Sequence, residues 1–208
     1  MRTRNPRGHG ERLRAELLAA AGELLEEAAE VDGPSLRAVA RAAGVAPQSV
    51  YLQFADMNEL LGALFEERFA ELAAELSAAA SGAASAAASG DAPGAAAPRA
   101  RVRAVCLAYC SFAERRPGLY RLLFSSPALP RREPGGPAPQ RGMPALKVLD
   151  DAVRECLPSV GAAVPSSTTL CLWAAMHGLV LLRGDRPNVG WPDLESLIDE
   201  QLAAHLSA

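Results

Sequence analysis

The 208-residue sequence is short of most of what builds a catalytic or membrane-embedded protein. It has one lysine, Lys147, and three histidines, His9, His177 and His205, too far apart in sequence to form a ligand set by spacing. No glycine-rich phosphate loop and no nucleophile elbow occurs. An enzyme is therefore not expected, nor a cofactor or a metal. Four cysteines, at 106, 110, 156 and 171, are scattered and lack histidines at ligand spacing. A disulfide framework needs dense cysteines in a small secreted chain, so buried reduced thiols and a cytoplasmic location are expected instead. The N-terminus carries no apolar signal core. The longest apolar run, residues 170–182 broken by His177 and Gly178, would span about 20 Å as a helix. A bilayer core needs about 30 Å, so no membrane partner is expected.

What is present is apolar, arginine-rich and uneven in charge. Half the residues are hydrophobic, enough for a sizeable core. The net charge of −3 and pI near 5.7 argue against non-specific coating of nucleic acid, but leave room for a local basic surface. Arg2, Arg4, Arg7, Arg12 and Arg14 stand against Glu11 alone at the start of the chain, a basic arm.

The apolar periodicity is helical throughout, which predicts an all-α protein of about nine helices. Leu13, Leu17, Leu24, Leu25 and Ala28 mark a first amphipathic helix, stopped by Asp32-Gly33-Pro34. Ser35 is a good N-cap for a short second helix, and Gly44 stops it. Pro47 opens a third short helix running to about Phe54. Asp56 caps a long fourth with Leu60, Leu61, Leu64, Phe65, Phe69, Leu72 and Leu76 along one stripe. Residues 77–98 are almost all Ala, Ser and Gly, a stretch that prolongs the fourth helix for a turn or two before becoming a flexible linker. Beyond them come a fifth helix closed by Pro117-Gly118, a sixth from Leu119 to Ser125, a proline-rich loop over 126–142, and helices near 143–157, 166–183 and 192–206. The expected division is a basic arm (1–10), a three-helix helix-turn-helix domain (11–56, motif 35–54), a connecting helix (57–80), a linker (81–97) and a larger helical regulatory and dimerisation domain (98–208).

The segment 35–54 carries the functional signal. Two short helices joined by a glycine-containing turn form a helix-turn-helix when a small residue, here Ala40, lets them cross closely. Val39, Val45 and Val50 supply the buried contacts. Pro47, Gln48, Ser49, Leu52 and Gln53 are then left on the outer face of the third helix. Gln48 and Gln53 can pair with base edges, Ser49 with a base or phosphate, and Tyr51 with a phosphate. Arg37 and Arg41 lie one turn apart where a nucleic-acid backbone would pass. On spacing alone an ordinary helical hairpin with a solvated arginine face fits equally well.

The stretch SLRAVARAAGVAPQSVYLQFADMNELLGALF resembles the DNA-binding domain of the tetracycline-repressor (TetR) family of bacterial regulators, over roughly residues 11–70. The resemblance implies contacts to double-stranded DNA from Ser35, Pro47, Gln48, Ser49, Tyr51 and Gln53. Two departures stand out: the family often has histidine where Gln53 stands, and a phosphate-binding lysine where Met57 stands. The stretches FAERRPGLYRLLFSS and LWAAMHGLVLLRGDRP are similar to a regulatory domain named for its Trp-His-Gly signature, here Trp173, His177 and Gly178. That resemblance implies an all-α domain for ligand binding and dimerisation.

Trp173 and His177 are one turn apart on the eighth helix, and Tyr109, Phe112, Tyr120 and Phe124 are on helices that could face them. These six are the candidate wall for a mostly apolar small-molecule effector, with His177 as polar anchor. Equally, the aromatics are core and His177 bonds a backbone carbonyl. The eighth helix is apolar nearly all round and must be covered on more than one side. Together with Leu194, Leu197, Ile198 and Leu202 of the ninth it predicts a two-fold homodimer, the rival being a fully buried helix of a monomer.

Overall fold

The structure, a computed structural model, describes residues 9–27, 34–88, 96–125, 142–158 and 165–206. Every regular element among them is helical: α1 (His9–Glu27), α2 (Leu36–Ala42), α3 (Pro47–Tyr51), α4 (Met57–Ala86), α5 (Ala96–Arg115), α6 (Pro117–Ser125), α7 (Met143–Cys156), α8 (Ser167–Asp185) and α9 (Leu194–His205). The all-α expectation holds. Residues 1–8 of the basic arm, Ala28 at the expected end of the first helix and most of the proline-rich loop lie outside the described residues, whereas His9 and Gly10, expected in the arm, begin α1, which also holds Arg12 and Arg14.

The described residues group into two compact units, one drawn from Met1–Arg68 and Gly118–Pro139, the other from Phe69–Pro117 and Gln140–Ala208. In the first, α1 packs on α2 and α2 on α3. Its core is Leu17, Leu18, Ala21, Val39, Ala40, Val50, Phe54, Leu60, Leu64 and Phe65. Gly22 brings α1 close to α4: a Cβ there would stand 3.3 Å from the Arg68 guanidinium. This unit also takes in α6, whereas a cut before residue 98 would put that helix with the larger domain. Gly118 shows why, since its Cβ position lies 3.4 Å from the Glu26 side chain of α1.

In the second unit α5 is central and packs on α7, α8 and α9. Val102, Val105, Cys106, Tyr109, Cys110 and Phe112 of α5 are buried there, with Leu149, Val153, Leu172, Met176, Ile198 and Leu202. α4 contributes residues to both units and runs to Ala86, further than a connecting helix ending at residue 80. Alanine has the highest intrinsic helix propensity, so an Ala-rich stretch continues a helix already nucleated. With α5 starting at Ala96, the expected linker 81–97 is helical at both ends, and residues 89–95 lie outside the description.

A buried polar joint links α7 to α8. Asp150, 2 % exposed, accepts hydrogen bonds from the Ser166 backbone N–H at 2.8 Å, the Thr169 hydroxyl at 2.7 Å and Arg154 Nε at 2.7 Å. Burial pushes its carboxyl up, but these three donors outweigh burial and hold it down at about 2. Ser166 in turn caps α8 by accepting from the Thr169 N–H.

Candidate nucleic-acid interface

The local sequence fixes how α3 is presented. Ser35 caps α2, its Oγ accepting from the Ala38 N–H at 3.2 Å. The helix ends in a Schellman turn: Val45 N–H donates to the Ala40 carbonyl at 2.9 Å, and Gly44 N–H to that of Arg41 at 3.2 Å. The turn needs a left-handed residue, and Gly44 supplies φ +67°. Pro47 then sits in the first turn of α3, where no N–H is missed. Asp56 closes the motif by accepting from the Glu59 N–H at 2.8 Å, while the Glu59 carboxylate accepts from Ala55 N–H at 2.7 Å, a reciprocal cap that starts α4.

Inward and outward faces are cleanly separated. Val39, Ala40 and Val50 are fully buried and Phe54 nearly so. Ser35, Arg37, Arg41, Pro47, Gln48 and Tyr51 are exposed, and Ser49 is half-buried beside them. Val45, expected in the core, is also only half-buried. Residues 35–54 include no carboxylate, and among the described residues neither Arg37 nor Arg41 forms an ion pair. The surface is therefore cationic and polar.

Gln53 differs from its expected placement. α3 ends at Tyr51, so Gln53 follows the helix. It is half-buried, with its Nε2 3.7 Å from the Cβ position of Gly10 in α1. Arg14, which the sequence offers only as one of the basic N-terminal residues, explains that position. Its guanidinium stacks on the Phe54 ring at 4.4 Å and donates to the Gln53 carbonyl at 3.5 Å, tying the end of α3 to α1.

The six expected effector residues are divided. Tyr120 and Phe124 form a tilted ring pair at 4.8 Å on α6 in the first unit. Tyr109, Phe112, Trp173 and His177 belong to the second. There the Tyr109 hydroxyl lies 3.3 Å from His177 Nδ1, and Trp173 and His177 have ring centroids 6.2 Å apart. Burial pulls the half-buried His177 below its ordinary pKa, which favours the neutral imidazole. Phe112 is wholly buried.

An open groove of about 730 Å3 lies elsewhere in that unit, lined by Glu75, Ala78, Leu107, Ala108, Glu114 and Leu194 among others. None of the expected effector residues lines it. Its carboxylates are engaged, Glu75 with Arg115 at 2.5 Å and Glu114 with Arg183 at 3.2 Å. Three helices contribute to it, so no one stretch of sequence announces it.

The cysteines are free: Cys106 and Cys110 are buried, and burial pushes both thiols up to about 12. Cys171, expected to be buried, is exposed on α8. Among the described residues no cluster of His, Cys, Asp and Glu could hold a metal, and no helix is long and apolar enough to cross a membrane.

Two family models cover the two parts of the chain. Residues 17–64 match the bacterial regulatory proteins of the tetR family, and residues 102–205 match the tetracyclin repressor-like C-terminal domain. The chain belongs to the TetR family. It is thus a regulator of the DNA-binding, helix-turn-helix kind, with a tetracyclin repressor-like C-terminal domain. Among solved structures, the TetR-family chain is similar to a protein of unknown function from Rhodococcus sp. RHA1, at 29 % identity over 98 % of this chain and 97 % of that one, TM-score 0.71. It also shares its fold with a TetR family transcription regulator from Marinobacter aquaeolei VT8 (17 % identity, 93 % and 95 % covered, TM-score 0.66). The fatty acid degradation regulator FadR from Bacillus halodurans has the same fold (14 %, 100 % and 98 %, TM-score 0.64). No curated protein matches the chain.

Proposed function

We propose that this TetR-family chain is a ligand-responsive repressor that binds a near-palindromic operator as a homodimer and is released by a small, mostly apolar effector. The observation that carries the reading is the outer surface of α2 and α3, exposed, free of carboxylates and held in place by Val50, Phe54 and the Gly44 turn. Gln48 reads a base edge from α3, with Ser49 and Pro47 beside it. Tyr51, Ser35, Arg37 and Arg41 hold phosphates, and Gln53 supports the end of the recognition helix. Two copies would place their α3 helices in successive major grooves about 34–36 Å apart.

The seam between copies is assigned to α8 and α9. Leu170 and Leu182 of α8 are exposed, and Cys171 and Ala174 lie on that side too. A Cβ at Gly178 would meet nothing within 4 Å, which leaves room for a second helix. An apolar surface of this kind is what an isologous interface covers. Leu197 on α9 is half-buried, and α9 packs on α8. The effector is assigned to the surroundings of Tyr109, Trp173 and His177, where an imidazole and a phenol offer polar anchors in apolar walls. It releases DNA by binding the non-DNA conformation more tightly.

The test is a selection of bound duplexes from a random pool followed by binding to point variants. Gln48→Ala should alter preference at one base pair in each half-site while circular dichroism stays unchanged. Unaltered preference at every position would remove the assignment of α3. Sedimentation at micromolar concentration should give twice the chain mass, and Leu197→Glu should lower it.

A further inference from the structure

Leu52 is 81 % exposed, more than any other large apolar side chain among the described residues, and its neighbour Tyr51 is 55 % exposed. A single exposed leucine is ordinary. Its position is not. Leu52 follows α3 with its backbone still helical at φ −78°, ψ −18°, so it stands four residues after Gln48 on the same outer face. Val50 and Phe54, two residues to either side, are 0 % and 1 % exposed, which fixes the side chain's outward direction. Gln48 and Tyr51 near it in sequence are exposed and polar, and residues 35–54 carry no carboxylate, the character that seats on a polyanion.

We propose that Leu52 selects thymine by packing on its 5-methyl group in the major groove. This rests on the reading of α3 as the recognition helix and adds a base-selecting residue to it. One helical turn advances about 5.4 Å, so Leu52 meets the duplex one to two base pairs from the base that Gln48 reads, at about 3.4 Å per pair. In that groove thymine alone presents a methyl, and apolar side chains recognise it. The leucine makes no hydrogen bond there, so its selectivity is the burial of one methyl, worth about fourfold in affinity.

The experiment uses the full-length protein and the duplexes it selects from a random pool, with each thymine replaced in turn by uracil, which removes only the methyl. Wild type should lose about fourfold at one thymine in each half-site. Leu52→Ala should be indifferent to that replacement and should bind the thymine duplex as wild type binds the uracil one. Leu52 is so exposed that the variant keeps its fold, checked by circular dichroism. If uracil costs both proteins the same at every position, or costs neither anything, the inference is overturned while the recognition-helix reading stands. If neither protein binds any duplex, both fall.

Discussion

The arginines of α2 and those of α5 carry the same charge in opposite circumstances. Arg37 and Arg41 face solvent in a carboxylate-free segment. On α5, Arg101 pairs with Glu155, Arg103 with Asp199 at 2.6 Å and Glu195 at 2.8 Å, and Arg115 with Glu75 at 2.5 Å. The α5 pairs hold helices of one unit together, and their charge is neutralised within the chain. The α2 charges have no partner among the described residues, which is what a surface meant for an external polyanion requires. Net charge conceals the distinction: at −3 the chain is acidic, yet the segment that forms α2 and α3 carries no carboxylate.

The largest effect expected from breaking a charged interaction lies in the second unit, at Asp150. Removing its carboxylate in Asp150→Ala leaves the Ser166 N–H unpaired in a buried site and takes from the Thr169 hydroxyl one of its two partners, the Ser166 hydroxyl remaining at 2.8 Å. Urea denaturation should show a loss of roughly 3 kcal/mol. Its pH dependence follows from the depressed carboxyl. The folded value is about 2 against an ordinary 3.8, so the contribution is fully present above pH 3.8 and is lost as pH falls through 2. It amounts to ~2 kcal/mol. Asp150→Asn should abolish that part of the acid sensitivity; an unchanged acid profile would place the titration elsewhere.

Next in size is the removal of the uncompensated pair. Arg37→Ala with Arg41→Ala should weaken operator binding and flatten its dependence on log salt by about one unit of slope for each phosphate no longer neutralised. Stability should move by no more than about 0.5 kcal/mol, because neither side chain has a partner among the described residues. An unchanged salt slope would mean that α2 does not approach the DNA backbone. His177→Leu sharpens the other half of the comparison: it is close to volume-neutral, so at matched thermal stability a change in effector-induced release identifies His177 as an anchor. Unchanged release would assign it to the core or the dimer seam.

Short-range chemistry explains what the sequence discloses. Ser35, Gly44, Pro47 and Asp56 each specify a cap or turn within four residues of themselves, and all four act where expected. The end of α4 is hidden because alanine-rich composition suits a linker and a helix alike, and only continuity with a nucleated helix decides. Gln53 departs from its expected place because α3 stops at Tyr51 and because Arg14, distant in sequence, stacks on Phe54. The Asp150 joint is invisible for a related reason. It unites residues on two helices across a connection, and no periodicity marks a carboxylate for burial. Likewise α8 reads as apolar all round, and only the fold shows that Leu170 and Leu182 are left outside while Leu172, Met176 and Val180 are covered.

The smallest effect belongs to the paired arginines of α5, and it tests the comparison from its other side. Arg103 makes three hydrogen bonds to Asp199 and Glu195, and those carboxylates raise its already high pKa further. The geometry looks strong, but the guanidinium is one-third exposed and the carboxylates more so. Water therefore screens the attraction, and ordering three long side chains costs entropy, so such pairs are worth about 1 kcal/mol or less. Arg103→Ala should lower the stability of the second unit by no more than that, by an amount that shrinks further in high salt. DNA affinity and its salt slope should be unchanged, because the charge removed was already cancelled. A fall in salt slope comparable with that of the Arg37 and Arg41 variant would show that pairing in the fold does not predict which arginines meet phosphate.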